Sequence, residues 1–595
     1  MRSPRTPAAL ATLALVASVA GAQQQVASAT PARPDSTSPT GTSADSTTLP
    51  ASLSKKAALL PPITMQHYRP QDQRGINIFE SPKDDAVAFT GFKLAFGAAF
   101  TQQFQGLTHT NTAAPKLVSG ANVNSLVPIG HGFNNAVANA YVGAQLAKGV
   151  RVAMTSYLSA RHHNETWVKD GYLLIDDSPI DLPLLNALMQ HVRPNDRRGV
   201  NVFETPKDDA TPYTGFRLDF GAAFTQQFQG LAHSNTAAPK LVSGANVNSL
   251  VPIGHGFNNA VANAYVGAQL ARGVRVAMTS YLSARHHNET WVKDGYLLVD
   301  DSPLDVAALN TLMRYVTVKA GHFEIDYGDA HFRRTDNGNA MFNPLVGNYV
   351  LDAFVPQIGG EVTLRGRGPL QGAFVLGSVT NGEEKGMVQG AAKRAPAFIG
   401  KLGVDRQLTS DVRARLTGSL YSQSRAANEV LFSGDRAGSR YYSVITNSTD
   451  ETATAWTGAV QPFSGPSAGL HAAVLNPFLK YRGLEYFGDF ESATGKGATE
   501  SASRTIKQAV HEVTLRGLGD NVYLTGRYNT VTGQLAGIKN DITVRRYQLG
   551  GGWFVTPTVL TKLEWVNQKY LDFPTSDIRN GGKFKGFMVE GTIAF

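Results

Sequence analysis

A two-residue alternation of apolar and polar side chains runs through most of this chain beyond about residue 61. Ala140, Val142, Ala144 and Leu146 alternate with Asn139, Tyr141, Gly143 and Gln145. After a turn at Lys148-Gly149, Val150, Val152, Met154 and Leu158 alternate with Arg151, Ala153, Thr155 and Tyr157. The C-terminal half repeats the theme: Val412, Ala414, Leu416 and Leu420 against Arg413, Arg415, Thr417 and Ser419, then Val522 and Leu524 against Tyr523, Thr525 and Arg527. Successive side chains of a strand point to opposite faces, so the pattern specifies β-strands with one apolar and one polar face. In a soluble sandwich the apolar face turns to a core. In a membrane barrel it turns to lipid, and the polar face lines a lumen. Arg, Lys and Glu in mid-strand suit a wet lumen. The connections are also asymmetric: Lys148-Gly149, Thr409-Ser410-Asp411 and Thr556-Pro557 are short, and those between other strands are long and polar. Short periplasmic turns and long outer loops are the expected asymmetry of an outer-membrane barrel.

Composition agrees. The 595 residues include 59 Gly and no Cys, with 17% charged. The missing cysteine excludes disulfide scaffolds, thiolate zinc sites, iron–sulfur clusters and cysteine catalysis, and no cofactor or metal is expected. Arg2 and Arg5, the Ala8–Val19 apolar run and Ala20-Gly21-Ala22 form an export signal over 1–22. A Ser/Thr/Pro/Ala-rich stretch over 23–60 reads as a flexible linker. No other apolar run is long enough for a helical membrane span.

Residues 65–188 then recur as 189–312 at a constant offset of 124, with about 104 of 124 pairs identical. Two copies of so long a unit do not make a solenoid. The expected organisation is a first copy over 61–188 and a second over 189–312, both supplying barrel strands, followed by the remainder of the barrel over 313–595. At roughly 25–30 residues per strand with its connection, the fold class is an all-β transmembrane antiparallel barrel of about 16–20 strands with an internal tandem duplication. One copy less would leave about 16 strands. The extra copy either widens the wall by about four strands or forms a unit beside it.

The chain ends in Phe595. Counting back by two gives Ile593, Gly591, Val589 and Phe587. This ending resembles the C-terminal signature of Gram-negative outer-membrane barrels. The resemblance implies that Phe587, Val589, Ile593 and Phe595 are read by the barrel assembly machinery, and that outer-membrane lipid surrounds the product.

The stretch Val316–Ala330, with Gly321, Phe323 and Gly328, resembles the strand–Gly–x–Phe region of the phosphate-selective porin O/P superfamily, and Phe354–Gly360 is similar to its next strand entry. The family's Pro before the second Gly is Tyr327 here. His162–Trp167 and the run His331–Asn339 look like a broader group of porin-like barrels. The resemblance implies a channel and names no solute; the expected product is a porin for passive diffusion of small hydrophilic solutes, assembled as a homotrimer.

Arg151, Arg161, Arg275, Arg285, Arg413, Arg415, Arg516, Arg527 and Arg546 fall on the polar strand faces, and Arg333 and Arg334 lie in a dense polar cluster with His331 and Asp336. Guanidinium groups suit phosphate and carboxylate, and rings of charge set pore selectivity. With a formal charge of +9, these candidate pore-lining residues point to small anions as solutes. The plainer alternative is that they pair with Asp and Glu and hold the wall. If the 331–339 cluster folds inward it constricts the pore. His162-His163 and His286-His287 sit on opposite strand faces and do not chelate one ion. Ser178-Pro179 and Ser302-Pro303 read as helix starts, with Ser at the N-cap and Pro at N1. No nucleophile elbow or other catalytic constellation stands out, and the scattered basic charge gives no nucleic-acid patch. An enzymatic barrel and a plugged structural or adhesin barrel are the alternatives to the porin.

Overall fold

The computed structural model describes most of residues 87–159, all of 166–175, most of 193–217 and all of 218–595 except 284–290, 384–392, 435–436 and 449–455, with 69 and 75–80 besides. The leader, the linker, Arg161, Arg285, both His-His pairs and the Ser178 helix start lie outside the described residues.

Two sheets account for the long strands. The first copy gives β1 (Lys93–Thr101), β2 (Val137–Ala147), β3 (Val150–Ser159) and β4 (Thr166–Ile175), paired in that order as a four-stranded antiparallel sheet. The barrel begins with the second copy: β5 (Arg217–Ser234), β6 (Val261–Ala271), β7 (Val274–Ser283) and β8 (Trp291–Val299). A short helix α1 (Ala307–Met313) follows. Then come β9 (Val316–Glu324), β10 (Pro356–Arg365), β11 (Ala373–Thr380), β12 (Ala397–Gln407), β13 (Val412–Gln423), β14 (Gly465–Tyr481), β15 (Leu484–Gly497), β16 (Arg504–Gly517), β17 (Val522–Gly533), β18 (Ile542–Thr556), β19 (Val559–Leu571) and β20 (Lys583–Ala594). The sixteen strands β5–β20 form a closed antiparallel meander, extended by the short pieces Gly256–Phe257 and Ala426–Glu429.

This corrects the expectation that the first copy supplies barrel strands. β20 closes the barrel on β5, from Lys583↔Ser234 to Ala594↔Ala223. The seam is thus filled by the second copy, and β1–β4 pair among themselves. The helix expected at Ser302 also starts later. The Ser302 hydroxyl donates to the Leu304 carbonyl, and Val306 occupies the N-cap without a side-chain bond. A serine whose hydroxyl is held two residues on cannot cap the first turn.

The outward face of the barrel is apolar. Leu402, Leu420, Leu479, Leu524, Leu549, Leu563 and Val589 are exposed, with Trp553 and Trp565 among them. Their neighbours in sequence, Lys401, Ser419, Thr525, Gln548, Lys562 and Glu590, are buried inside. A barrel with apolar residues outside and charges within is a transmembrane barrel, because only closure satisfies every strand edge in lipid. Of the four C-terminal residues expected to act as an assembly signal, Phe587 and Val589 lie on this outer face. Ile593 is buried at the seam, and Phe595 exchanges two 2.9 Å backbone hydrogen bonds with Ala222.

Candidate functional site: the barrel lumen and its mouth

Three stretches of chain occupy the inside of the barrel. The connection between β9 and β10, residues 325–355, is almost wholly buried and folds inward. The connection between β13 and β14 contributes Leu431, Phe432, Tyr441, Val444, Val460 and Phe463, which pack with Val346, Val350 and Leu351 of the first loop and with Ile399, Val474, Val531, Val544 and Phe584 of the wall. The segment before β5 enters at the short-turn end. There Phe203 meets Phe332 and Phe478 edge-on, at 5.8 and 5.4 Å. Burying each such large side chain stabilises by about 1.5–3 kcal/mol.

An inward loop carries backbone donors and acceptors that must be paired away from bulk water. The polar face of the wall pairs them. Glu564 on β19 accepts from the backbone N–H groups of Val346 and Gly347 at 2.7 and 2.9 Å. Asn529 accepts from Val350, and Gln508 both accepts from and donates to Leu351. Lys562 donates to three carbonyls, those of Ala340, Asn343 and Leu345, at 2.8–3.0 Å. At the far side, the Thr225 hydroxyl donates to the Gly338 carbonyl at 2.6 Å and Asn263 accepts from its N–H at 2.9 Å. The loop is thus tied to β5, β6, β16, β17 and β19. The 331–339 cluster lies inside the barrel with it.

The candidate arginines divide by location. Arg151 is on β3 of the separate sheet, so it does not line the barrel; its twin Arg275 on β7 does, paired with Asp300. Arg415 on β13 grips Asp329 of the inward loop through two 2.8 Å bonds and also reaches Glu204. Arg413 holds Asp405 bidentately at 2.8 and 2.6 Å. Arg516 holds Glu485. Arg527 on β17 and Arg333 of the loop share Glu512, and Arg527 also donates to the Gly347 carbonyl. Arg334 is paired with Asp352 inside the loop. Arg546 gives its guanidinium to Gln568 and to the carbonyls of Asn348 and Gly458. Each of these lumen guanidiniums therefore has a carboxylate, amide or carbonyl partner.

Sequence reasoning singled out the arginines but not their acids, nor the lysines. Lys401 on β12, fully buried, meets Asp326, Asp329 and Glu204 at 2.5, 2.9 and 2.9 Å. Lys293 on β8 meets Glu324 and Asp336 at 2.9 and 2.6 Å. Of the acidic partners, Asp326, Asp329, Asp336 and Glu204 sit in the loop and in the entering segment, where strand alternation does not reach, whereas Glu324, Asp405, Glu485 and Glu512 lie on wall strands.

The mouth at the short-turn end is different. A cleft of about 560 Å³ is lined by Lys207, Arg314, Arg365, Arg367, Arg406 and Asp405. Here the cations bond mostly to backbone. Arg406 donates to the carbonyls of Gln371 and Pro369, Arg367 to that of Arg314, and Lys207 to that of Asp300. The Nε of Arg365 is buried with no hydrogen-bond partner. Among the described residues that line the cleft, Asp405 is the one carboxylate, and it is already held by Arg413. Burial pushes the Lys207 ammonium down to about 8; Asp300 and Asp301 oppose this, while Arg365 and Arg367 add to it.

No family model and no curated protein matches the sequence. Solved structures that resemble the chain include OmpT of Vibrio cholerae in its trimer form, at 9% identity and a TM-score of 0.38, covering 64% of this chain and 100% of that one. An anion-selective porin from Comamonas acidovorans is 9% identical with a TM-score of 0.40, over 64% of this chain and 100% of the other. The outer membrane channel DcaP of Acinetobacter baumannii is 10% identical with a TM-score of 0.37, over 64% and 99%.

Proposed function

We propose that the protein is an outer-membrane porin for passive diffusion of small hydrophilic solutes, with anions preferred. The observation that carries this reading is the sixteen-stranded wall with the 325–355 loop drawn into its lumen and held there by charged and amide side chains. A wall that serves only as scaffold does not require so polar an interior. Inside, most cations are matched by carboxylates, Arg546 by an amide and two carbonyls instead, so the lumen arginines give little net field. The basic mouth does, because its cations are answered largely by carbonyl dipoles. A cluster of cations at a channel entrance raises the local concentration of anions. Selection at the mouth, with a charge-balanced constriction behind it, is the form that anion preference takes in this reading. Membership of the phosphate-selective porin O/P superfamily and assembly as a homotrimer belong to the same reading.

The test is single-channel conductance in a planar bilayer, with the reversal potential measured under a KCl gradient. The expected result is discrete steps with chloride preference, and a shift toward potassium in the double variant R314Q/R365Q. Potassium preference in the unaltered protein would overturn the anion reading and leave the channel. A second reading, a plugged structural barrel without enzymatic activity, is favoured by the apolar cluster that the two inward loops build across the lumen. Folded protein that gives no steps under any voltage would establish it.

A further inference from the structure

The first-copy sheet is a structural duplicate of the barrel's opening four strands. β1 pairs with β2 from Lys93↔Gln145 to Thr101↔Val137. β5 pairs with β6 from Arg217↔Gln269 to Thr225↔Val261, the same register 124 residues on. The β2–β3 and β3–β4 registers repeat in β6–β7 and β7–β8, bulges included. The two sheets differ in what lies at their edges. β5 has β20 beside it, and β8 has β9. Among the described residues, β1 and β4 each have one strand neighbour.

We propose that the edge of β1 away from β2, which has no strand neighbour among the described residues, is a docking edge for the chain's own C-terminal strand. The barrel then closes in two ways: with sixteen strands when β20 pairs with β5, and with twenty when β20 pairs with β1 and β4 pairs with β5. This inference rests on the strand pairing alone and holds whether or not the lumen conducts.

Four observations carry it. The edge sequences are nearly the same: KLAFGAAFT in β1 against RLDFGAAFT at the start of β5. An edge that β20 accepts in one copy is offered again in the other. Next, Phe100 of β1 is 71% exposed. Its twin Phe224 is half-buried, in register with Ile593 of β20. The side chain left in the open on β1 is the one β20 covers on β5.

Third, β5 continues for 18 residues to Ser234 along β20, whereas β1 stops at Thr101. Yet Gln103-Phe104-Gln105-Gly106-Leu107 repeats Gln227-Phe228-Gln229-Gly230-Leu231. Beside β20 these residues run on in one continuous strand; in the first copy Phe104–Gln105 are a separate short piece that keeps only the pairing with Gly132–Phe133 that its twin also makes. Finally, four added strands preserve antiparallel alternation, so β4 can lie beside β5 and β1 beside β20 without reversing any chain direction. An open edge is excluded from hydrocarbon, because each unpaired backbone group there costs several kcal/mol. The spare sheet therefore enters the membrane only by closing the wall, and the exchange gives up one ladder and gains two.

The chain has no cysteine, so engineered pairs report without background. Thr225 and Thr592 are register partners whose hydroxyls lie 3.0 Å apart. Thr101 is the twin of Thr225. T225C/T592C and T101C/T592C are made in the full chain, folded reduced in lipid, and then oxidised. T225C/T592C should cross-link within one chain in nearly all molecules. T101C/T592C should also give an intramolecular link, trapping about 1–10% of molecules per round of reduction and oxidation and accumulating with repeated rounds. A T101C/T592C link that never forms, or that forms only between two chains, while T225C/T592C closes fully, overturns the proposal. Absence of both links overturns it too, because neither closure would then bring Thr592 to a twin threonine.

Discussion

Lys401→Met tests whether the inward loop is held by charge. The ammonium is fully buried and touches Asp326 and Asp329 of the loop and Glu204 of the entering segment. It also donates to the Gly328 carbonyl at 2.8 Å. Methionine keeps the length and removes the charge. Removing one partner of a buried ion pair costs about 3–5 kcal/mol, because the remaining charge stays desolvated. Two partners soften the loss here: Arg415 still holds Asp329 and Glu204, and His331 still reaches Asp326 at 3.1 Å. The lower figure is therefore the appropriate one. About 3 kcal/mol corresponds to a roughly hundredfold rise in the population of the opened loop. Hydrogen exchange reads such local opening directly. The amides of Gly328 and Asp329 donate to Ser419 and Asn476 of the wall, so they report the anchor itself. A peptide covering 325–335 should exchange about a hundred times faster in the variant, while the β18–β19 ladder keeps its protection. K401M/D326N, which removes one stranded carboxylate as well, should recover about a tenth to a half of the lost protection. Exchange of 325–335 within threefold of the parent protein would refute the idea that Lys401 anchors the loop.

Three further outcomes are expected. Lys207 titrates near 8 in the folded protein rather than near its ordinary 10.5; anion preference should fall between pH 7 and 9 as the mouth loses a charge, and K207R should abolish that pH dependence. Because the folded form binds this proton less tightly than the unfolded chain, the penalty is fully present below pH 8 and is relieved up to about pH 10.5, so stability to denaturant should rise through that window. A Cβ added at Gly338 would lie 2.4 Å from the Ala262 Cα and 2.6 Å from the Ala223 carbonyl oxygen; Gly338→Ala should destabilise by about 1–3 kcal/mol and lower the unfolding midpoint in detergent. Deleting 65–188 should leave the heat-modifiable electrophoretic mobility of the folded barrel in place, because β20 closes on β5 and not on β1.

The class of fold was legible in the residues because lipid and lumen impose opposite demands on alternate side chains. Leu420 points out and Ser419 in, as the pattern requires. The sixteen-strand count was bracketed, and so were two fates for the first copy, but not the choice between them. Its strands carry the same sequence as those that enter the wall, and only the choice of partner for β20 separates them. Alternation contains no information about partners. The inward loop was half visible: His331, Arg333, Arg334 and Asp336 marked a polar cluster, but the wall partners that hold it, Glu512 for Arg333 and Lys293 for Asp336, are far away in sequence. The helix at Ser302 failed for a local reason, since its hydroxyl found the Leu304 carbonyl first.

The arginines carry the broader point about reading a pore from a sequence. A guanidinium on a lumen face has the same periodicity whether it meets a passing anion or a fixed carboxylate. What decides between them is the inventory of donors and acceptors that the rest of the chain brings into the barrel. Here a loop of about thirty residues brings its backbone and four aspartates, Asp326, Asp329, Asp336 and Asp352, and each meets a cation. An arginine so held keeps its charge but loses its free donors, and with them most of its grip on a mobile ion. On the proposed reading, selectivity then falls to cations at the entrance that face carbonyls, and among the described residues these include the cations around the turn between β10 and β11.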